Sequence, residues 1–154
     1  MNQQSSISIK MKRSVIALYG PSSQGKSETV RETANLLLAT FPNHTLHAIN
    51  NGADITYIVD INGVIIGIES QGDPNSRMFQ SLQTFVAQGC DIIICSCRSR
   101  GATASAVEDL HRNHQYEIIW STNHRSWHKN QMQLNQIAAS EILELIKIIM
   151  NGQL

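Results

Sequence analysis

The sequence is short of charge, and the little it has cancels. Charged residues make up 16% of the 154, with Lys plus Arg and Asp plus Glu at 12 each. Without a net basic field the chain lacks a long-range pull on a phosphate backbone, so nucleic acid is not supported as a partner. No apolar run approaches the length of a membrane span. The stretch from Met1 to Lys10 lacks an apolar core and a cleavage site, so no signal peptide is expected and a cytoplasmic location is. Only Cys90, Cys95 and Cys97 carry thiols. That odd number, two of them in one apolar run, reads as buried reduced cysteines. Trp120 and Trp127 are too few to stack a run of bases, although one can still stack on a single base. The pairs His111/His114 and His124/His128 lack the converging partners that a zinc site needs. No repeat, low-complexity tract or linker divides the chain.

Alternating strand and helix signals fill the rest. Ser14–Tyr19 is a short apolar run with β-branched residues that reads as a buried strand, and Ile7, Ile9 and Met11 alternate in a way that can extend it. Glu28–Thr40 carries Val30, Ala34, Leu36, Leu37 and Leu38 and reads as a helix. Thr45–Ile49 is a short edge strand broken by Asn50-Asn51-Gly52. Two β-branched runs, Asp54–Ile61 and Val64–Glu69, flank Asn62-Gly63, the strongest short hairpin signal. Helices are expected at 77–88, 104–113 and 131–150, and further strands at 91–97 and 116–120. The last helix presents Leu134, Ile137, Ile142, Leu145, Ile146 and Ile149 as its core stripe. This order predicts an α/β fold. It would be a three-layer sandwich with a mainly parallel sheet and one antiparallel hairpin strand. Residues 1–12 are expected to be flexible and 13–154 to form one domain.

Between the first strand and first helix stands Gly20-Pro21-Ser22-Ser23-Gln24-Gly25-Lys26-Ser27, the spacing G-x-x-x-x-G-K-S. A strand, a glycine-bounded loop and a helix N-terminus aim several N–H groups and the positive end of a helix dipole at one point. Lys26 can reach β- and γ-phosphates, the Ser27 hydroxyl can ligate Mg²⁺, and Glu28 opens the helix. The pattern predicts that the chain binds a nucleoside triphosphate or diphosphate. A carboxylate near the metal is then needed. Glu69 ends a strand expected to run parallel to the first, which puts it on the loop side of the sheet, whereas Asp60 sits beside the tight turn at the far end. Asp73, Arg98 and Arg100 follow strand ends on the same side. The arginines can clamp phosphate or an anionic acceptor, and Asp73 can act as a base.

These residues resemble the P-loop NTPase superfamily, and the element order is similar to its kinase–GTPase branch. Small GTPases follow the phosphate loop with a hairpin whose second strand ends in D-x-x-G; here Glu69-Ser70-Gln71-Gly72 stands in that place. The resemblance implies that Gly72 senses the γ-phosphate and that Glu69 holds Mg²⁺ directly or through water. Two departures stand out. Glu replaces Asp, and Ser121-Thr122-Asn123-His124 stands where the guanine-reading Asn-Lys-x-Asp would be, which makes ATP the expected nucleotide. Three functions remain open: an ATPase, a small-molecule or nucleotide kinase with an anionic acceptor, and a switch that binds nucleotide without appreciable turnover. Oligomeric state is not legible.

Overall fold

A computed structural model describes residues 11–154. The readings of residues 1–10, including Ile7 and Ile9 as strand, lie outside the described residues; Met11 and Lys12 precede the first strand. Among the described residues the strands are β1 (Ser14–Tyr19), β2 (Thr45–Asn51), β3 (Ile55–Ile61), β4 (Val64–Glu69), β5 (Ile92–Cys97) and β6 (Glu117–Ser121). The helices are α1 (Lys26–Thr40), α2 (Met78–Ala87), α3 (Ala102–His114) and α4 (Gln131–Met150). One six-stranded sheet has the order β2-β3-β4-β5-β1-β6. The pairs β4–β5, β5–β1 and β1–β6 are parallel, and β3 is antiparallel to both its neighbours. No helix among the described residues is long and apolar enough to cross a membrane.

The hairpin forms because Asn62 and Gly63 both take positive φ, 53° and 88°, which matches the twist of the flanking strands. Its register sets Asp60 against Ile65 and Thr56 against Glu69. Glu69 therefore lies at the end of the sheet where β1 runs into the Gly20–Gly25 loop, and Asp60 lies at the other end. β5 stands between β4 and β1, so the strand that ends in Glu69 is not a neighbour of the strand that feeds the loop. Strand β2 runs two residues further than its Asn50-Asn51-Gly52 signal suggests, and it absorbs an irregularity of register between Ala48 and Asn50.

Alternation along the strands feeds two cores. Ile16, Leu18, Ile66, Ile68, Ile92 and Ile94 pack with Val30, Ala34 and Leu37 of α1 and with Ile142, Leu143, Ile146 and Ile149 of α4. Val15, Ala17, Ile93, Cys95 and Cys97 pack on the other side with Met78, Leu82 and Phe85 of α2 and with Val107 and Leu110 of α3. Helices thus flank both faces of the sheet, an arrangement compatible with the expected three-layer sandwich. The α4 stripe is displaced from its expected position. Ile137 is 51% exposed and Leu134 only half-buried, while Asn135, Ala138 and Ala139 face inward. The buried face is one continuous stripe through Asn135, Ala138, Ala139, Ile142, Ile146 and Ile149, with Asn135 held by Asn123 and Gln131, and Leu134 and Ile137 lie off it. Gly67 is required where it stands, because a Cβ there would meet the Phe85 ring at 2.6 Å.

Candidate functional site

Residues 20–25 turn sharply from β1 into α1. Gly25 adopts the left-handed conformation at φ 78°, which an L side chain rarely tolerates. A Cβ there would also meet Asn135 Oδ1 at 2.8 Å and Asn123 Nδ2 at 3.0 Å. Ser23 takes positive φ as well, 60°, although it is not a glycine. Among the described residues, the N–H groups of Ser22 through Gly25 form no hydrogen bond. Together with the first-turn N–H groups of α1, which have no intrahelical partner, they make a concave set of donors suited to an anion.

Lys26 is the first residue of α1, and its side chain doubles back into the curve. Nζ donates to the carbonyls of Gly20 at 2.5 Å and Pro21 at 2.6 Å, and the residue is only 8% exposed. Burial lowers the Lys26 pKa from its ordinary value; Arg98 pushes the same way, while Cys97 and Asp73 oppose it. A buried ammonium whose only partners among the described residues are carbonyl dipoles remains short of negative charge. A cavity of about 210 Å³ lies over this loop, lined by Ser22–Glu28 together with Arg31, Gly72, Asp73 and Ser96. Glu28 leaves the loop sideways and ion-pairs with Arg31.

The loop is braced from behind by residues far away in sequence. Asn123 Nδ2 donates to the Gln24 carbonyl at 2.7 Å and to Asn135 Oδ1 at 2.8 Å, and its Oδ1 accepts from the Thr29 hydroxyl. Arg125 Nη1 donates to the Ser23 carbonyl at 2.9 Å. None of these residues was among the expected site residues.

Serine 70 connects the front. Its carbonyl accepts from the Ser27 hydroxyl at 2.8 Å and from Ser96 Oγ at 3.3 Å. Its own hydroxyl donates to Asp54 Oδ1 at 2.8 Å. Arg31 and Gln71 also reach the Asp54 carboxylate. Asp54, missed in the sequence, thus lines a second cavity of about 390 Å³ with Ser27, Gln71, Asp73 and Arg98. Asp73 belongs to both cavities, and Arg98 grips its carboxylate through Nε and Nη2 at 3.2 and 3.1 Å. Gly72 packs against β5, where a Cβ would lie 2.4 Å from the Ser96 carbonyl oxygen; a close approach accounts for the glycine. Arg100 is exposed, and no hydrogen bond or ion pair among the described residues brings it to either cavity.

Glu69 is at the expected end of the sheet but faces α2. It is fully buried, and its Oε1 accepts from Thr56 Oγ1, Ser81 Oγ and Arg77 Nε at 2.6, 2.5 and 3.1 Å. Oε2 accepts from the Gln71 N–H at 2.8 Å. The carboxylate is saturated and fixes the start of the 70–77 segment. As a direct metal ligand it does not fit, whereas Asp54 and Asp73 keep oxygens beside Ser27. No family model, no curated protein and no solved structure matches this chain.

Proposed function

We propose that the chain is a Mg²⁺-dependent, ATP-binding P-loop protein that hydrolyses its nucleotide. One observation carries the reading. The Gly20–Ser27 sequence joins an inner parallel strand to a helix N-terminus, with the Lys26 ammonium folded inside the curve and short of an anion. Ser22–Glu28 would hold the phosphates, and Gly72 lines the same cavity. Phosphoryl transfer needs positioning and charge stabilisation more than covalent help. Lys26 and the loop N–H groups supply both, since their positive ends are fixed before the ligand arrives.

Mg²⁺ would be held by the Ser27 hydroxyl with Asp54 or Asp73, and when bound it neutralises charge on the β- and γ-phosphates. Among the described residues no three His, Cys, Asp or Glu side chains form a ready cage. A magnesium ion completed by phosphate and water oxygens does not require one. Glu69 acts at one remove, by anchoring Gln71 N–H and hence Ser70. A second reading, phosphotransfer to a small anionic acceptor, is favoured by the 390 Å³ cavity beyond Ser27, where Asp73 and Arg98 face any entering group.

Calorimetry with ATP and GTP, with and without Mg²⁺, followed by phosphate release in the same samples, tests the proposal. ATP binding with steady release supports hydrolysis. Binding with release only on adding an acceptor supports phosphotransfer, and failure of both nucleotides to bind ends the reading. Asp54→Asn lowers Mg²⁺-dependent affinity about tenfold and leaves Mg²⁺-free binding unchanged. An equal loss in both conditions would show that Asp54 braces the loop instead.

A further inference from the structure

Trp127 is 96% exposed, far more than any other large apolar side chain among the described residues. Trp120, by contrast, is partly covered and meets Tyr19 edge to face at 5.6 Å. An indole left wholly in water, in a folded and hydrogen-bonded loop, needs an explanation in terms of what covers it. The loop is held on several sides. Ser126 Oγ accepts from the N–H groups of His128 and Lys129 at 3.3 and 3.1 Å, and Gln131 Nε2 donates to the His124 carbonyl at 2.8 Å.

Its position is tied to the phosphate loop. Arg125 holds the Ser23 carbonyl and Asn123 holds the Gln24 carbonyl, so Trp127 stands at a fixed offset from residues 22–27. A cavity of about 360 Å³ opens there, lined by Gln24, Arg125, Ser126 and Trp127. Gln24 also lines the cavity over Lys26. A ligand whose phosphates fill the first cavity can pass over Gln24 into the second.

We infer that this second cavity is a nucleobase site, with the Trp127 indole as the stacking platform and Gln24 and Ser126 as edge contacts. The inference rests on the nucleotide reading above. A base presents a π-face and a rim of donors and acceptors, which matches an indole, a guanidinium, an amide and a hydroxyl. The N–H groups of the Gly20–Ser27 loop suit phosphates, so recognition of the base must come from side chains, and this cavity beside Gln24 carries an aromatic one.

The test uses the full chain carrying Trp120→Phe, which leaves Trp127 as the sole tryptophan. ATP is expected to change Trp127 fluorescence. Inorganic tripolyphosphate is expected to compete with ATP without producing that change. Trp127→Ala weakens ATP binding by about tenfold and leaves tripolyphosphate affinity unaltered. Because the side chain is in solvent, the melting temperature should stay the same. If ATP and tripolyphosphate both bind and Trp127→Ala costs neither, the base lies elsewhere and the inference falls while the phosphate reading stands. An equal loss for both ligands makes Trp127 a brace for the loop and also overturns it. If neither ligand binds, the phosphate reading itself has failed.

Discussion

Lys26 and Glu69 are both buried charges at the same end of the sheet, and they are satisfied in opposite ways. Glu69 has four donors for its two oxygens, one of them a guanidinium, so its charge is spent within the protein. Among the described residues Lys26 has two carbonyl oxygens and no contacting carboxylate, so its charge is only half answered. On the reading proposed above, the difference would separate framework from binding site better than burial does. A saturated ion holds a fold together, while an ion left with dipoles for company is prepared for a ligand.

The strongest way to break this contrast is Lys26→Ala. It should lower ATP affinity by roughly a hundredfold, the loss of a charged hydrogen bond worth about 3 kcal/mol, while changing the melting temperature little. Unchanged affinity measured by calorimetry would remove the distinction. Glu69→Gln should do the reverse. Stability falls by about 2–3 kcal/mol in denaturant titration, because Arg77, Thr56 and Ser81 lose a charged acceptor, and nucleotide affinity changes less than tenfold. Asp60→Asn, at a carboxylate that accepts from the Gly63 N–H in an exposed turn, serves as the control. Should Glu69→Gln spare stability and abolish the Mg²⁺ effect, Glu69 belongs with the metal after all.

A smaller effect sharpens the contrast through pH. Burial raises the Cys97 thiol to about 11 and the Cys90 thiol to about 12, from an ordinary 9.0. Above pH 9 the unfolded chain releases thiol protons that the native state keeps. Stability therefore declines by up to about 1.4 kcal/mol per pH unit per thiol until the native thiols ionise. Lys26 works against this decline, because its lowered pKa makes the unfolded chain the better proton binder just below its ordinary 10.5. Lys26→Ala should thus steepen the alkaline loss seen in melting curves from pH 8 to 10.5. A flat profile in both proteins would sink the burial argument for Cys90 and Cys97.

What was legible in the sequence was local. The strand, turn and helix around Gly20–Ser27, the Asn62-Gly63 hairpin and the end of the sheet at which Glu69 stands follow from spacing, turn chemistry and strand direction. What was illegible came from contacts across long stretches of chain. Glu69 could be placed at its strand end, but whether it faced Ser27 or α2 depended on Thr56, Ser81 and Arg77 arriving from other elements. Asp54 joins the site only because the edge of β3 brings it to Ser70. Asn123 and Arg125 reach the loop from about a hundred residues away. The α4 stripe was misplaced for a related reason. Hydrophobicity alone favoured Ile137, and the polar partners of Asn135 were not visible until Gln131, Asn123 and Gly25 surrounded it.

The shift of register in β2 between Ala48 and Asn50 has a consequence for the crowded cell. β2 is an outer strand of the sheet, with Leu46 and Ile49 36% and 43% exposed, and a straight strand of that kind invites a second chain to zip alongside it. The irregularity interrupts the regular ladder that such a chain would need and twists the border away from flat. On this border a misaligned residue, rather than added charge, stands against edge-to-edge pairing.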